Sequence, residues 1–270
     1  MKVLISGCSY TEDSRPFRQR DFPYRLTWPH YLKLQRPDWD VVNVAAIAAG
    51  NQYIYDSVAW QLSQQYYDLV LVMWTGLSRF DMAMAADLYD AYFSDYKYSA
   101  RLGQDVTYIF SGGLMGNWLD SKKYPMAHDL FSRIYKLQTY STLAILSLQK
   151  ILMLQSMLEK SHIPYRFMSY ANYWNIHHNT TDTIIEESRL QINPRLQSPV
   201  ISSIASAESL LQQIDFDKWI WAGPNQKCLY EMIKDHPMEE STYDNGFHPT
   251  GMISEKFVNQ HLLPELDSIV

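Results

Sequence analysis

Three short apolar runs constrain what this chain can fold into. Residues 2–6 (KVLIS), 40–46 (DVVNVAA) and 68–74 (DLVLVMW) are nearly continuous in aliphatic side chains instead of alternating with polar ones. Such runs suit strands covered on both faces, as in a parallel sheet, whereas a half-exposed strand alternates every second residue. Helical spacing follows each run. Thr27 is expected to cap a helix opening on Trp28 and Pro29, with Tyr31, Leu32 and Leu34 facing inward. Gly50-Asn51 opens another through about Tyr67, with Ile54, Val58, Ala59 and Leu62 on one face.

A longer pattern, from about Asp129 to Lys160, places Ile134, Leu137, Leu143, Ile145, Leu148, Ile151 and Leu154 mostly at threes and fours, which predicts one helix lying across the sheet. His162-Ile163-Pro164 stops it, and Tyr165 begins a fourth strand. A last helix runs from about Thr250 to Leu263 and ends at Pro264. Alternating strands and helices predict an α/β domain built on a mostly parallel sheet, spanning residues 1–270. Residues of about 80–126 and 170–225 fit that plan poorly and read as insertions. The first is dense in Tyr and Trp. Tyr98, Tyr108 and Trp118 are read as loop anchors in preference to a substrate platform.

Charge and composition exclude several classes of function. A net charge of −6 denies the chain the basic field that phosphate binding needs, so no nucleic-acid partner is expected. With 47% apolar and 14% aromatic residues it can bury a large core, and global disorder is excluded. Two cysteines, Cys8 and Cys228, make neither a disulfide framework nor a four-cysteine zinc site. Gly7-Cys8 superficially suggests a lipoprotein cleavage site, but the apolar stretch such signals need does not precede it. No signal peptide, membrane span or membrane partner is expected, and the expected setting is cytoplasmic or virion-associated.

In open α/β sheets ligands bind beyond the carboxyl ends of the strands, which directs attention to Ser9, Gly50 and Thr75. Ser9 follows Gly7-Cys8 in a sharp turn where a hydroxyl can be presented as a nucleophile. Serine needs a base within hydrogen-bond reach, and His248, in Tyr243-Asp244-Asn245-Gly246-Phe247-His248-Pro249-Thr250, is the candidate. Other constellations carry less. His177 and His178 with Asp182 lack the spacing of metal ligands, and no metal or organic cofactor is expected. Asp235-His236-Pro237 mimics the His248 segment without a sustained apolar helix after it. Cys8 reads as a small core residue, and Arg79 as a substrate-anion ligand or a partner of Asp81.

Gly7-Cys8-Ser9-Tyr10-Thr11 near the start, Asn43 to Gly50-Asn51 after the second strand, and Asp244 to His248-Pro249 near the end together resemble the blocks of the SGNH (GDSL-like) hydrolases over most of the chain. The resemblance implies a three-layer flavodoxin-like sandwich, Ser9 as nucleophile, His248 as base and an oxyanion hole of backbone amides including those of Ser9 and Gly50. It departs from the family at three places. Cysteine replaces the aspartate of the Gly-Asp-Ser block. The asparagine expected after strand three is missing from Trp74-Thr75-Gly76-Leu77-Ser78-Arg79, which leaves Thr75, Ser78 or Asn51 as the further donor. The orienting carboxylate falls at Asp244, with Asn245 in the usual slot. These features are similar to divergent, phage-borne members of the family. The implied activity is hydrolysis of an ester, such as an O-acetyl group on a carbohydrate. Acyl transfer, or a catalytically degenerate domain with virion or homo-oligomer contacts, remain as alternatives.

Overall fold

The computed structural model describes residues 1–13, 26–77, 79–110, 112–113, 116–117, 119–172, 205–224, 226–234, 243–244, 248–249 and 251–269. Strands β1 (Lys2–Ser6), β2 (Asp40–Asn43), β3 (Leu69–Trp74) and, later in the chain, β9 (Tyr165–Ser169) form one parallel sheet in the order β2-β1-β3-β9. Side chains of β1 and β3 alternate between two cores. Leu4, Val70, Val72 and Trp74 pack on one face, against helices α2 (Asn51–Gln64) and α5 (Tyr140–Lys160). Val3, Ile5, Leu71 and Met73 pack on the other, with Trp28 and Leu32 of α1 (Trp28–Gln35) and Ile253 and Phe257 of α8 (Gly251–Phe257). Burial on both faces explains why these strands read as unbroken apolar runs.

Several expected boundaries shift. Strand β2 ends at Asn43, because the Asn43 side chain accepts the Ala45 amide and donates to the Thr11 carbonyl, turning the chain out of the sheet. Leu34 is 61% exposed. It lies two residues, about 200° of helical rotation, from buried Leu32. The long apolar pattern is two helices, α4 (Pro125–Leu137) and α5, divided where the Thr139 hydroxyl caps α5 by accepting the Thr142 amide. Periodicity does not register a cap inside an apolar pattern. By length and a mean hydropathy of 1.3, α5 is apolar enough to cross a membrane, yet Leu143, Leu148, Ile151, Leu154 and Leu158 are buried against the sheet side of this domain. Pro264 does not end the last helix. A π-helical turn at Val258–Leu262 precedes it, in which Leu263 N–H bonds the Val258 carbonyl, and helix α9 (Leu263–Asp267) follows. Proline in the first turn of α9 needs no amide donor.

The first insertion folds as an antiparallel sheet of β4 (Asp81–Ala85), β5 (Ser99–Leu102) and β6 (Val106–Phe110), ordered β4-β6-β5. Helix α3 (Ala86–Tyr92) and the two-residue strands β7 (Gly112–Gly113) and β8 (Gly116–Asn117) complete it. Tyr89, Tyr96, Ile109, Leu119 and Tyr124 form its own core with Phe131 of α4. Tyr108 is 5% exposed and Tyr98 is partly buried against the main core, as expected of anchors, whereas Trp118 lies outside the described residues. From residue 205 the second stretch is built into the domain body. Helix α6 (Ala205–Leu211) packs on α5, and Trp219 bridges Phe167 in parallel, with Ile220 N–H bonding the Phe167 carbonyl at 2.9 Å. Residues 219–220 therefore extend the sheet beyond β9.

Candidate active site

The turn after β1 is tightly determined. The Cys8 carbonyl accepts the amides of Thr11 and Glu12 at 2.9 and 3.0 Å, closing a helical turn around Ser9. A Cβ at position 7 would lie 2.4 Å from Thr11 Oγ1, so glycine is required there. Trp28 Nε1 donates to Thr11 Oγ1 at 3.3 Å, and Asn43 Nδ2 donates to the Thr11 carbonyl at 2.8 Å. Ser9 is held at 5% exposure in this turn, while Cys8 packs into the core beside α1, as a small hydrophobe should.

The loop after β2 lies alongside. Ala46 N–H bonds the Gly7 carbonyl at 3.1 Å, and Ala48 takes a left-handed φ of 71° before the chain enters α2 at Gly50. The Gly50 amide donates to Asp81 Oδ1 at 2.8 Å and the Tyr53 amide to Asp81 Oδ2 at 2.9 Å. A Cβ at position 50 would lie 2.7 Å from Asp81 Oδ1, so a side chain there would displace the carboxylate. The carboxylate caps the helix end that attracts negative charge. Burial raises the Asp81 pKa to about 7, Asp56 adds to the rise, and the two amides and Arg79 oppose it. Arg79 Nη1 donates to the Ala49 carbonyl at 3.0 Å. The charge of Arg79 also acts on Asp81, as expected of a pairing between them.

Asn51 joins this loop to the end of β3. Its Oδ1 accepts the Thr75 amide at 3.0 Å, and its Nδ2 donates to the Thr75 carbonyl at 3.2 Å and to Ser147 Oγ at 3.0 Å. The amide group of Asn51 is thus occupied in fixing Thr75. Thr75 Oγ1 is buried and finds no hydrogen-bond partner among the described residues. Because Ser6 is paired with Val72, Ser9 and Thr75 both lie three residues beyond matched positions of adjacent strands. In the C-terminal segment the backbone of strand β10 (Tyr243–Asp244) pairs antiparallel with β11 (His248–Pro249), setting Asp244 opposite His248. Strand β11 packs on α7 (Leu229–Lys234) and α8. Ser78, Asn245, His177, His178, Asp182, Asp235 and His236 lie outside the described residues.

A cleft of about 280 Å³ opens between this loop and the insertion, lined by Glu12, Ala46, Ile47, Tyr53, Ala100 and Arg101 among others. Glu12 belongs to the Ser9 turn and Ala100 to β5, so the insertion forms one wall. Among the described residues no group of three metal-ligating side chains occurs. Asp81 was not foreseen as a member of this cluster. Its only signal in the sequence was its position two residues after Arg79. No family model matches the chain, and a search of curated proteins finds no relative.

Proposed function

We propose that this chain is a serine hydrolase of the SGNH type that cleaves an ester, an O-acetyl group on a carbohydrate being the substrate class in view. Ser9 Oγ attacks the ester carbonyl as His248 takes its proton. The tetrahedral intermediate collapses, the alcohol leaves with the proton from His248, and an acyl-Ser9 remains. Water, deprotonated by His248, then attacks the acyl carbonyl and releases the acid, regenerating Ser9. Asp244 orients His248 in this scheme, and the β10–β11 register supports that assignment over Asn245. The strand order β2-β1-β3-β9, with residues 219–220 added outside β9, supports a flavodoxin-like sheet.

The observation that carries the reading is the Thr75 hydroxyl, buried, unpartnered among the described residues and beyond the end of the strand beside β1. A buried hydroxyl without a partner is costly in a resting protein, and the cost is explained if the group serves a transient oxyanion. We assign the oxyanion hole to the Ser9 amide and the Thr75 hydroxyl, because the Gly50 amide already donates to Asp81. That commitment of Gly50 also favours a second reading, a catalytically degenerate domain that binds without turnover.

Two measurements separate the readings. A fluorophosphonate should label Ser9 in the wild type and leave Ser9→Ala unlabelled, and an unlabelled wild type supports the degenerate domain. Thr75→Val should lower kcat by roughly 10²–10³ while leaving the melting temperature unchanged or raised, since the hydroxyl removed has no structural partner. Full activity in Thr75→Val would remove Thr75 from the hole.

A further inference from the structure

We infer that Asp81, contributed by the insertion, is a positioning residue of the Ser9 site that fixes Thr75 through the first turn of α2 and Asn51. The inference rests on the hydrolase reading for its catalytic consequence.

The chain of contacts is continuous. Asp81 holds the Gly50 and Tyr53 amides at 2.8 and 2.9 Å, the turn so held contains Asn51, and Asn51 grips both backbone polar groups of Thr75 at 3.0 and 3.2 Å. Every link is buried: Gly50 is buried, Thr75 is fully so, Asn51 is 4% exposed and Asp81 8%. A displacement of the α2 turn therefore moves the Thr75 hydroxyl, and misplacement by about 1 Å of a group acting on the transition state can cost roughly 10²-fold in rate. Asp81 is the first residue of β4, so the antiparallel sheet is tied to the site at the point where it leaves the parallel core.

The groups facing Asp81 are few. Arg79 precedes it in the chain. From α2 come the two amides, the Tyr53 phenol and Asp56, and from β6 comes Tyr108, whose hydroxyl donates to Asp56. With its pKa raised to about 7, Asp81 changes charge near neutrality. A neutral carboxyl is a weaker acceptor for the two amides. The rate reflects every group of the site, so the protonation of Asp81 is best read on the amides and not on the rate.

The test uses the full chain. In Ser9→Ala, the ¹⁵N–¹H resonances of Gly50 and Tyr53 should shift together with a midpoint near the pKa of about 7. Asp81→Asn, which offers one acceptor oxygen in place of two, should abolish that shift and move the Thr75 amide resonance. With p-nitrophenyl acetate, Asp81→Asn in the otherwise wild-type chain should lose about tenfold in kcat with KM little changed. Gly50 and Tyr53 resonances unmoved by Asp81→Asn, or a Thr75 resonance unmoved by it, would overturn the clamp whatever the activity. A kcat equal to wild type in Asp81→Asn would overturn its catalytic consequence. A wild type that neither labels nor turns over sinks the hydrolase reading itself and the catalytic consequence with it, and the resonances still decide whether the clamp exists.

Discussion

All six residues of β3 are buried, whereas burial alternates along β4 from Asp81 to Ala85. The two sheets lie side by side and are stabilised differently. In the parallel sheet, both faces are covered by helices and apolar burial dominates, at roughly 25 cal/mol per Å² removed from water. In the insertion one face is partly open, and tyrosines supply apolar area together with hydroxyls that bond inward: Tyr89 to the Tyr96 carbonyl, Tyr96 to the Phe110 carbonyl, Tyr108 to Asp56. The candidate nucleophile belongs to the first region and one wall of the cleft to the second. On the proposed hydrolase reading, chemistry falls to the parallel sheet and substrate contact to the insertion.

The largest expected difference between the regions is in rate. Ser9→Ala should reduce ester turnover by something on the order of 10⁴–10⁶, whereas Tyr108→Phe, which keeps the ring and removes only the hydroxyl, should leave the turnover of a small aryl acetate close to wild type. Comparable losses in both, measured by steady-state kinetics, would mean that the insertion carries chemistry.

Core substitutions sharpen the same contrast in stability. Leu71→Ala, in a fully buried strand, should cost about 2–5 kcal/mol in denaturant unfolding, and Met84→Ala, half-buried in β4, about 1 kcal/mol or less. Equal costs would show that the antiparallel sheet is as tightly packed as the parallel one.

At the joint the expected effect depends on pH. Asp81 has a folded-state pKa raised from 3.8 to about 7, so between those values the folded protein retains a proton that the unfolded chain has lost. Its stabilising contribution is full below pH 3.8 and is lost as pH rises towards 7, with a slope of at most about 1.4 kcal/mol per pH unit. Asp81→Asn should lack this component when melting is followed across pH 4–8, and an identical slope in both proteins would place the titration elsewhere.

Tyr108→Phe should lower stability by about 1–2 kcal/mol, because Asp56 loses a hydrogen-bond donor while the ring remains packed against Tyr53. If it instead left stability intact and selectively abolished turnover of an acetylated glycan, the rings of the insertion would be a substrate platform and not anchors.

Legibility in the sequence followed the same division. The strands β1, β3 and β9 and the face of α2 carrying Ile54 and Val58 were readable, because burial on both sides of a strand or along one stripe of a helix leaves a periodic trace. The helix break at Thr139 and the exposure of Leu34 were missed for a local reason. The first is a cap hidden in a periodic pattern, and Leu34 lies on the wrong side of a short helix. The clamp at Asp81 left almost no trace, since its partners are backbone amides 31 and 28 residues away, and an amide has no letter in the sequence.

What the amino-acid sequence determined by itself was the alternation of buried strands and amphipathic helices, the requirement for a turn at Gly7 and the candidacy of Ser9, all of which depend on neighbours along the chain. Only the tertiary structure decided that Gly50 donates to a carboxylate, that Asn51 holds Thr75 and that the Thr75 hydroxyl lacks a partner among the described residues. The physical reason is that hydrogen bonding is directional and short-ranged, so the partner of a buried group is fixed by which distant segments come within about 3 Å, whereas apolar burial is non-directional and is recorded in the pattern of side chains alone.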